Sequence, residues 1–181
     1  MKKLLILSAI ASTLFASTAS AQLAGFETGP VFENFGPKAS VETDIAIPEQ
    51  TVFKIAFDVK DKAKPDKLNR SFESAARFFN MHVAAGVPKE NIKLVVVVHG
   101  GAAVDLTQDS FYKIKNDGAS NPSASAIAEM QKNGVEFHLC GQSAAAYKIN
   151  NADLLPGVKM SLSAMTSHAL LQQEGYTLNP F

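Results

Sequence analysis

Residues Leu94 to Val98 read LVVVV, an unbroken apolar run that is mostly β-branched. A strand with one wet face alternates apolar and polar residues, and this run does not. It is also too short for a buried helix. The strand it predicts must be covered on both faces. That places it inside a parallel sheet with helices packed above and below.

The rest of the chain supplies the partners. Thr51–Val59 alternates Val52, Lys54, Ala56 with Phe53, Ile55, Phe57, a strand pattern. Leu68, Phe72, Ala75, Ala76, Phe79 and Val83 recur at helical spacing, with Asp66 as candidate cap and Gly86 and Pro88 as the stop. Ala124–Lys132 is a second helix, and Asn133-Gly134 turns into a third strand, Val135–Leu139. Ser143–Ile149 can be helical, Val158–Leu162 is a fourth strand, and Ser163–Glu174 is a helix closed by Gly175. Tyr176–Leu178 is a short last strand. Residues 102–121 lack a clean period and are expected to hold a short helix and a flexible excursion. Strands alternating with helices predict an α/β fold: a single-domain three-layer sandwich, its mostly parallel sheet of about five strands flanked by helices on both faces.

The chain opens with Lys2 and Lys3, a short apolar stretch Leu4–Ala16 and the small-residue site Ala19-Ser20-Ala21. This order predicts a cleavable signal peptide over 1–21, a mature chain starting at Gln22, and export to a bacterial periplasm or beyond. Residues 22–50 read as an irregular arm and 51–181 as the α/β domain. Without Lys2 and Lys3, the 17 acidic residues exceed the basic ones by two. No basic stripe points to nucleic acid, and once the leader is removed nothing points to a membrane. One cysteine excludes an internal disulfide framework.

In open α/β sheets, ligands bind beyond the carboxyl ends of the strands. Asp58 lies near the end of the first strand, and His99, Gly100 and Gly101 follow the second. Cys140 and Gly141 follow the third, and Ser163 follows the fourth. Parallel strands would bring all of these to one sheet edge. Cys140 is read in two ways. Free cysteine is often a small buried hydrophobe. A cysteine between a strand end and a helix start also meets unpaired amides that stabilise a thiolate. The second reading predicts a partly accessible thiol with a depressed pKa. His99 has a plain alternative as a strand terminator, and Gly100-Gly101 as a tight turn. His138 and Cys140 share a strand face and could contribute to a metal site. Zinc needs three or four ligands and no C-x-x-C or H-x-x-x-H spacing supplies them, so no metal is assigned. His82 and His168 are read as surface or packing residues. No G-x-S-x-G, P-loop or G-x-G-x-x-G pattern occurs, and no cofactor is expected.

Three stretches then carry a resemblance: KLVVVVHGGA, SAIAEMQKNGVEFHLCGQSAAAYKI and DLLPGVKMSLSAMTSHALLQQEGYTLNPF. In the order of their elements they resemble the DsrE/DsrF-like family, roughly from Thr51 to the C-terminus. The resemblance implies a compact α/β sandwich that forms trimers or hexamers. In sulfur-relay members a cysteine placed like Cys140 carries a persulfide and passes its sulfur to a partner protein. What the resemblance implies here is a sulfur-handling role for Cys140, with a sulfur donor or acceptor protein as partner. His99 or His138 would help hold the thiolate. The alternative is a binding or assembly module of the same fold in which Cys140 only packs.

Overall fold

The computed structural model describes residues 25–180. The leader read at 1–21 and its cleavage site lie outside the described residues. Two short strands, β1 (Phe26–Glu27) and β2 (Lys38–Ala39), pair antiparallel in the arm. Five strands then form one sheet: β3 (Phe53–Val59), β4 (Ile92–Val98), β5 (Glu136–Cys140), β6 (Lys159–Ser161) and β7 (Thr177–Asn179). Their order is β6-β5-β4-β3-β7, and every pairing is parallel. Here the sheet is parallel throughout rather than mostly so. The LVVVV run lies in the central strand β4, where Leu94 to Val98 are at most 2% exposed.

The connecting helices are α1 (Arg70–Ala84), α2 (Asp109–Lys115), α3 (Ala124–Lys132), α4 (Gly141–Tyr147) and α5 (Ala164–Gln173). From β3 to β6 each new strand adds on the same side. Right-handed crossovers then send their helices to one face. The step from β6 to β7 reverses direction across the sheet, and the same rule sends α5 to the other face. The two clusters of buried residues follow this division. Phe57, Val59, Leu94, Val96, Phe137 and Leu139 pack in the larger one with Phe72 and Ile127 of α1 and α3. Ala56, Val95, Val97 and Cys140 pack with Ala164 and Leu171 of α5. Period-two alternation sorts the large side chains onto the first face and small or polar ones onto the second.

The structure decides several local readings. The cap of α1 is Asn69, whose side-chain oxygen accepts from the Ser71 amide, while Asp66 sits at φ +54 in the preceding loop. Residues 102–121 hold the expected short helix, α2, which follows a 3-10 turn over Gly100–Leu106. Gly100-Gly101, read as a tight turn, opens that 3-10 segment. The irregular arm is docked: Asn80 of α1 accepts from the Val31 and Phe32 amides and donates to the Phe32, Phe35 and Gly36 carbonyls. Phe32 is fully buried, its ring edge-on to Phe79. Among the described residues no helix is long and apolar enough to cross a membrane.

Candidate functional site

The site is built on the second face, at the carboxyl ends of β3, β4 and β5. Cys140 is the last residue of β5 and the residue before α4. It pairs in register with Ser161, and Leu139 pairs with Val98. One step beyond the Val98–Leu139 pair, His99 stands on the strand next to Cys140. Its backbone is still extended, at φ −147 and ψ −173, and its amide donates to the Val59 carbonyl. His99 and Cys140 follow the same alternation as the pair Val97 and His138, so both project onto the α5 face.

The thiol is less accessible than expected, with Cys140 only 6% exposed. The reason is α5, whose Ala164 and Leu171 pack in the same cluster. Burial pushes the thiol up, but the Ser143 and Ala164 amides, the Ser143 hydroxyl and the Gln142 amide oppose it, and the net shift is downward. The sulfur makes no ordinary capping hydrogen bond to α4. The donors act on the anion, which they favour over the neutral thiol. They come from two chain segments, so the site exists only once α5 has docked.

Gly141 lets the chains approach this closely. A Cβ there would lie 2.7 Å from the Ser161 carbonyl oxygen. Gly100, at φ +54, takes a backbone conformation that favours glycine, and its amide donates to Ser143 Oγ at 2.9 Å. With that oxygen fixed as an acceptor, the Ser143 hydroxyl proton is left to point elsewhere. Gly101 is close only to the loop at Lys60–Lys62. Ser163 is buried and caps α5, its Oγ accepting from the Thr166 amide and bonded to Thr166 Oγ1. Its hydroxyl is therefore structural, and the following amide, Ala164, favours the Cys140 thiolate.

The histidines divide. His138 Nδ1 meets Ser167 Oγ at 2.8 Å and its Nε2 meets Glu136 at 3.4 Å, and burial holds its pKa below the usual value. It faces a cleft of about 370 Å³ lined also by Lys159, Leu170 and Tyr176. His82 packs as expected, stacked on Phe78. His168 does not merely pack. Its Nε2 lies 2.8 Å from Asp58 Oδ1, while His99 Nε2 lies 3.2 Å from Asp58 Oδ2. Burial raises the Asp58 carboxyl, and the two imidazoles more than reverse this, leaving it below the usual carboxylate range. The signal for His168 was present in the sequence. Ala164, Ser167, His168 and Leu171 recur at i, i+3, i+4 and i+7, the spacing of a face that packs on a sheet. Ser143, three residues after Cys140, carried no comparable signal. Among the described residues no three His, Cys, Asp or Glu groups are arranged to hold a metal.

A model of the DsrE/DsrF-like family matches residues 54–180. The structure of MTH1491, a protein of unknown function from Methanobacterium thermoautotrophicum, is similar at 19% identity and a TM-score of 0.52. It covers 71% of this chain and 99% of its own. The crystal structure of the YchN protein from E. coli is similar at 14% identity and a TM-score of 0.48, with 72% and 100% covered. No functionally curated protein matches the chain.

Proposed function

The chain belongs to the DsrE/DsrF-like family and has its sulfur-relay-type fold, and from that premise we propose that Cys140 accepts and donates sulfane sulfur as a persulfide. The observation that carries this is the place of the chain's one thiol, between the end of β5 and the start of α4 and packed against Ala164 of α5, where nearby amide and hydroxyl donors favour the thiolate. In loading, the Cys140 thiolate attacks a sulfane sulfur. A new S–S bond forms at Cys140, and the donor's S–S bond breaks with its electron pair on the leaving sulfide. In delivery, an acceptor thiolate attacks the outer sulfur and Cys140 leaves as the thiolate. No external oxidant enters either step. The donor set stabilises Cys140 as the attacking and as the leaving anion.

The proposal includes export through the leader at 1–21, action in the periplasm, and a homotrimer or a dimer of trimers. Assembly is supported by Leu162, Met165 and Leu170, which stand 72%, 78% and 54% exposed around α5. The decisive experiment is intact mass after polysulfide treatment. Wild type should gain the mass of one sulfur atom, removable by dithiothreitol, and Cys140→Ser should gain none. Equal uptake by both, or uptake by neither, would overturn the proposal.

A second reading, a binding or assembly module with a structural Cys140, is favoured by the 6% exposure of that residue. It predicts a thiol that alkylates only after denaturation.

A further inference from the structure

Asp58 holds two imidazoles, one on each carboxylate oxygen, and one of them, His99, ends the strand that lies beside Cys140. Neither the cysteine's packing nor the fold requires this. Ala56 and Val95, on the same face, show that a small apolar residue is accommodated there.

The donor logic assigns the protons. Asp58, ionised, is acceptor-only, so His99 and His168 each present Nε2–H to it. The exchangeable nitrogen of both rings is then Nδ1. His168 Nδ1 is buried, with no hydrogen-bond partner among the described residues, and the His168 side chain is 14% exposed. Adding a proton there would bury an unpaired N–H. The His99 side chain is 31% exposed at the end of β4. One register step beyond the Val98–Leu139 pair it stands beside Cys140, and adjacent parallel strands run about 5 Å apart. Side chains on one face of neighbouring strands stand at about that spacing, which one bridging water can span.

We infer that His99 is the proton-exchange group for Cys140, and that Asp58, clamped by His168 on its other oxygen, is the residue that positions it. This rests on the reading of Cys140 as a sulfur carrier. Before loading, His99 Nδ1 takes the thiol proton, leaving a thiolate beside an imidazolium whose charge Asp58 balances. After delivery, the same proton can return to the Cys140 thiolate. Bonds change only at S–H and N–H, so the exchange balances within the site. The other charged and titratable groups nearby are His138 of β5, turned toward Ser167 and Glu136, and the exposed Lys60 after β3. Facing the sulfur, α4 brings only polar donors, Gln142 and Ser143. His168 is the titratable contribution of α5.

The test is the pH profile of Cys140 alkylation by iodoacetamide on the full chain, read by intact mass beside a thermal melt. His99→Gln keeps a donor for Asp58 and removes the base. Asp58→Asn keeps the shape and removes the charge. Both should move the midpoint up by about one pH unit and slow labelling at about pH 6 roughly tenfold. Asp58→Glu should restore most of the wild-type profile. A folded His99→Gln with the wild-type midpoint overturns the inference. So does an Asp58→Asn that lowers the melting temperature and leaves the midpoint in place. Should Asp58→Asn fail to fold, His99→Gln decides alone. Alkylation reads the thiol without any sulfur donor, so failure of sulfur loading and failure of this inference are separate results.

Discussion

Gly141→Ala tests the close approach that makes the site. The added Cβ would lie 2.7 Å from the Ser161 carbonyl oxygen and 3.1 Å from that of Leu162. Both obstacles are backbone, so no side chain can rotate away. Ordinary contact begins about 0.7 Å beyond the Ser161 distance. Ser161 belongs to β6, an edge strand of 3 residues paired only to β5, and it is the element that yields. Opening the Cys140–Ser161 end of the ladder forfeits about 1 kcal/mol of hydrogen bonding. Strain adds about 1 to 2 kcal/mol, and the better helix propensity of alanine returns up to about 1 kcal/mol. The expected net loss is about 1 to 3 kcal/mol. For a domain of this size that is a fall of roughly 2 to 12 °C in melting temperature. The same displacement carries the start of α5 outward, withdraws the Ala164 amide from the sulfur, and raises the Cys140 pKa. Circular-dichroism melts and the alkylation midpoint read the two effects. Gly101→Ala is the control, since its Cβ would sit at an ordinary 3.5 Å from Lys62 Cβ. It should stay within about 0.5 kcal/mol of wild type. A Gly141→Ala protein as stable as Gly101→Ala, with an unmoved thiol midpoint, would refute the packing argument.

Asn80→Ala removes five hydrogen bonds between α1 and the arm, and should cost roughly 3 kcal/mol or more. Limited proteolysis should then cut within residues 25–50 under conditions that spare the wild type. Asp105 is fully buried, and burial raises its pKa although Asn69 and the Ala63 amide bond to it. A carboxyl with a raised folded pKa contributes stability below its unfolded value and loses it as pH climbs through the folded one. Melting temperatures of Asp105→Asn should therefore gain on wild type as pH rises from about 4 to 7, and a constant difference would contradict the assignment. Met165→Glu, on the exposed part of α5, should dissociate the proposed trimer in light scattering at micromolar concentration without lowering the monomer's helicity. N-terminal sequencing of the exported protein should begin at Gln22.

The order and type of the elements were legible in the sequence because each rests on local periodicity. LVVVV demanded cover on both faces, and the spacing of Phe72, Ala75, Ala76 and Phe79 could only be helical. The candidate edge was legible too. Asp58, His99 and Cys140 end successive strands, and a parallel sheet must bring such ends together. Which face each side chain takes was not legible in β4, where an all-apolar run hides the alternation. That choice was made by topology: reversing from β6 to β7 sends α5 alone to the second face. Only there can Ala164 present its amide to the Cys140 sulfur, and only there can His168 reach Asp58, 110 residues away in sequence. The thiol's burial, its donors and the two-histidine clamp depend on contacts between segments that share no local pattern. Chain order alone determines that a cysteine ends a strand just before a helix. The docking of one helix decides whether that cysteine is a packed side chain or a stabilised anion, since burial and amide donors act on it in opposite directions.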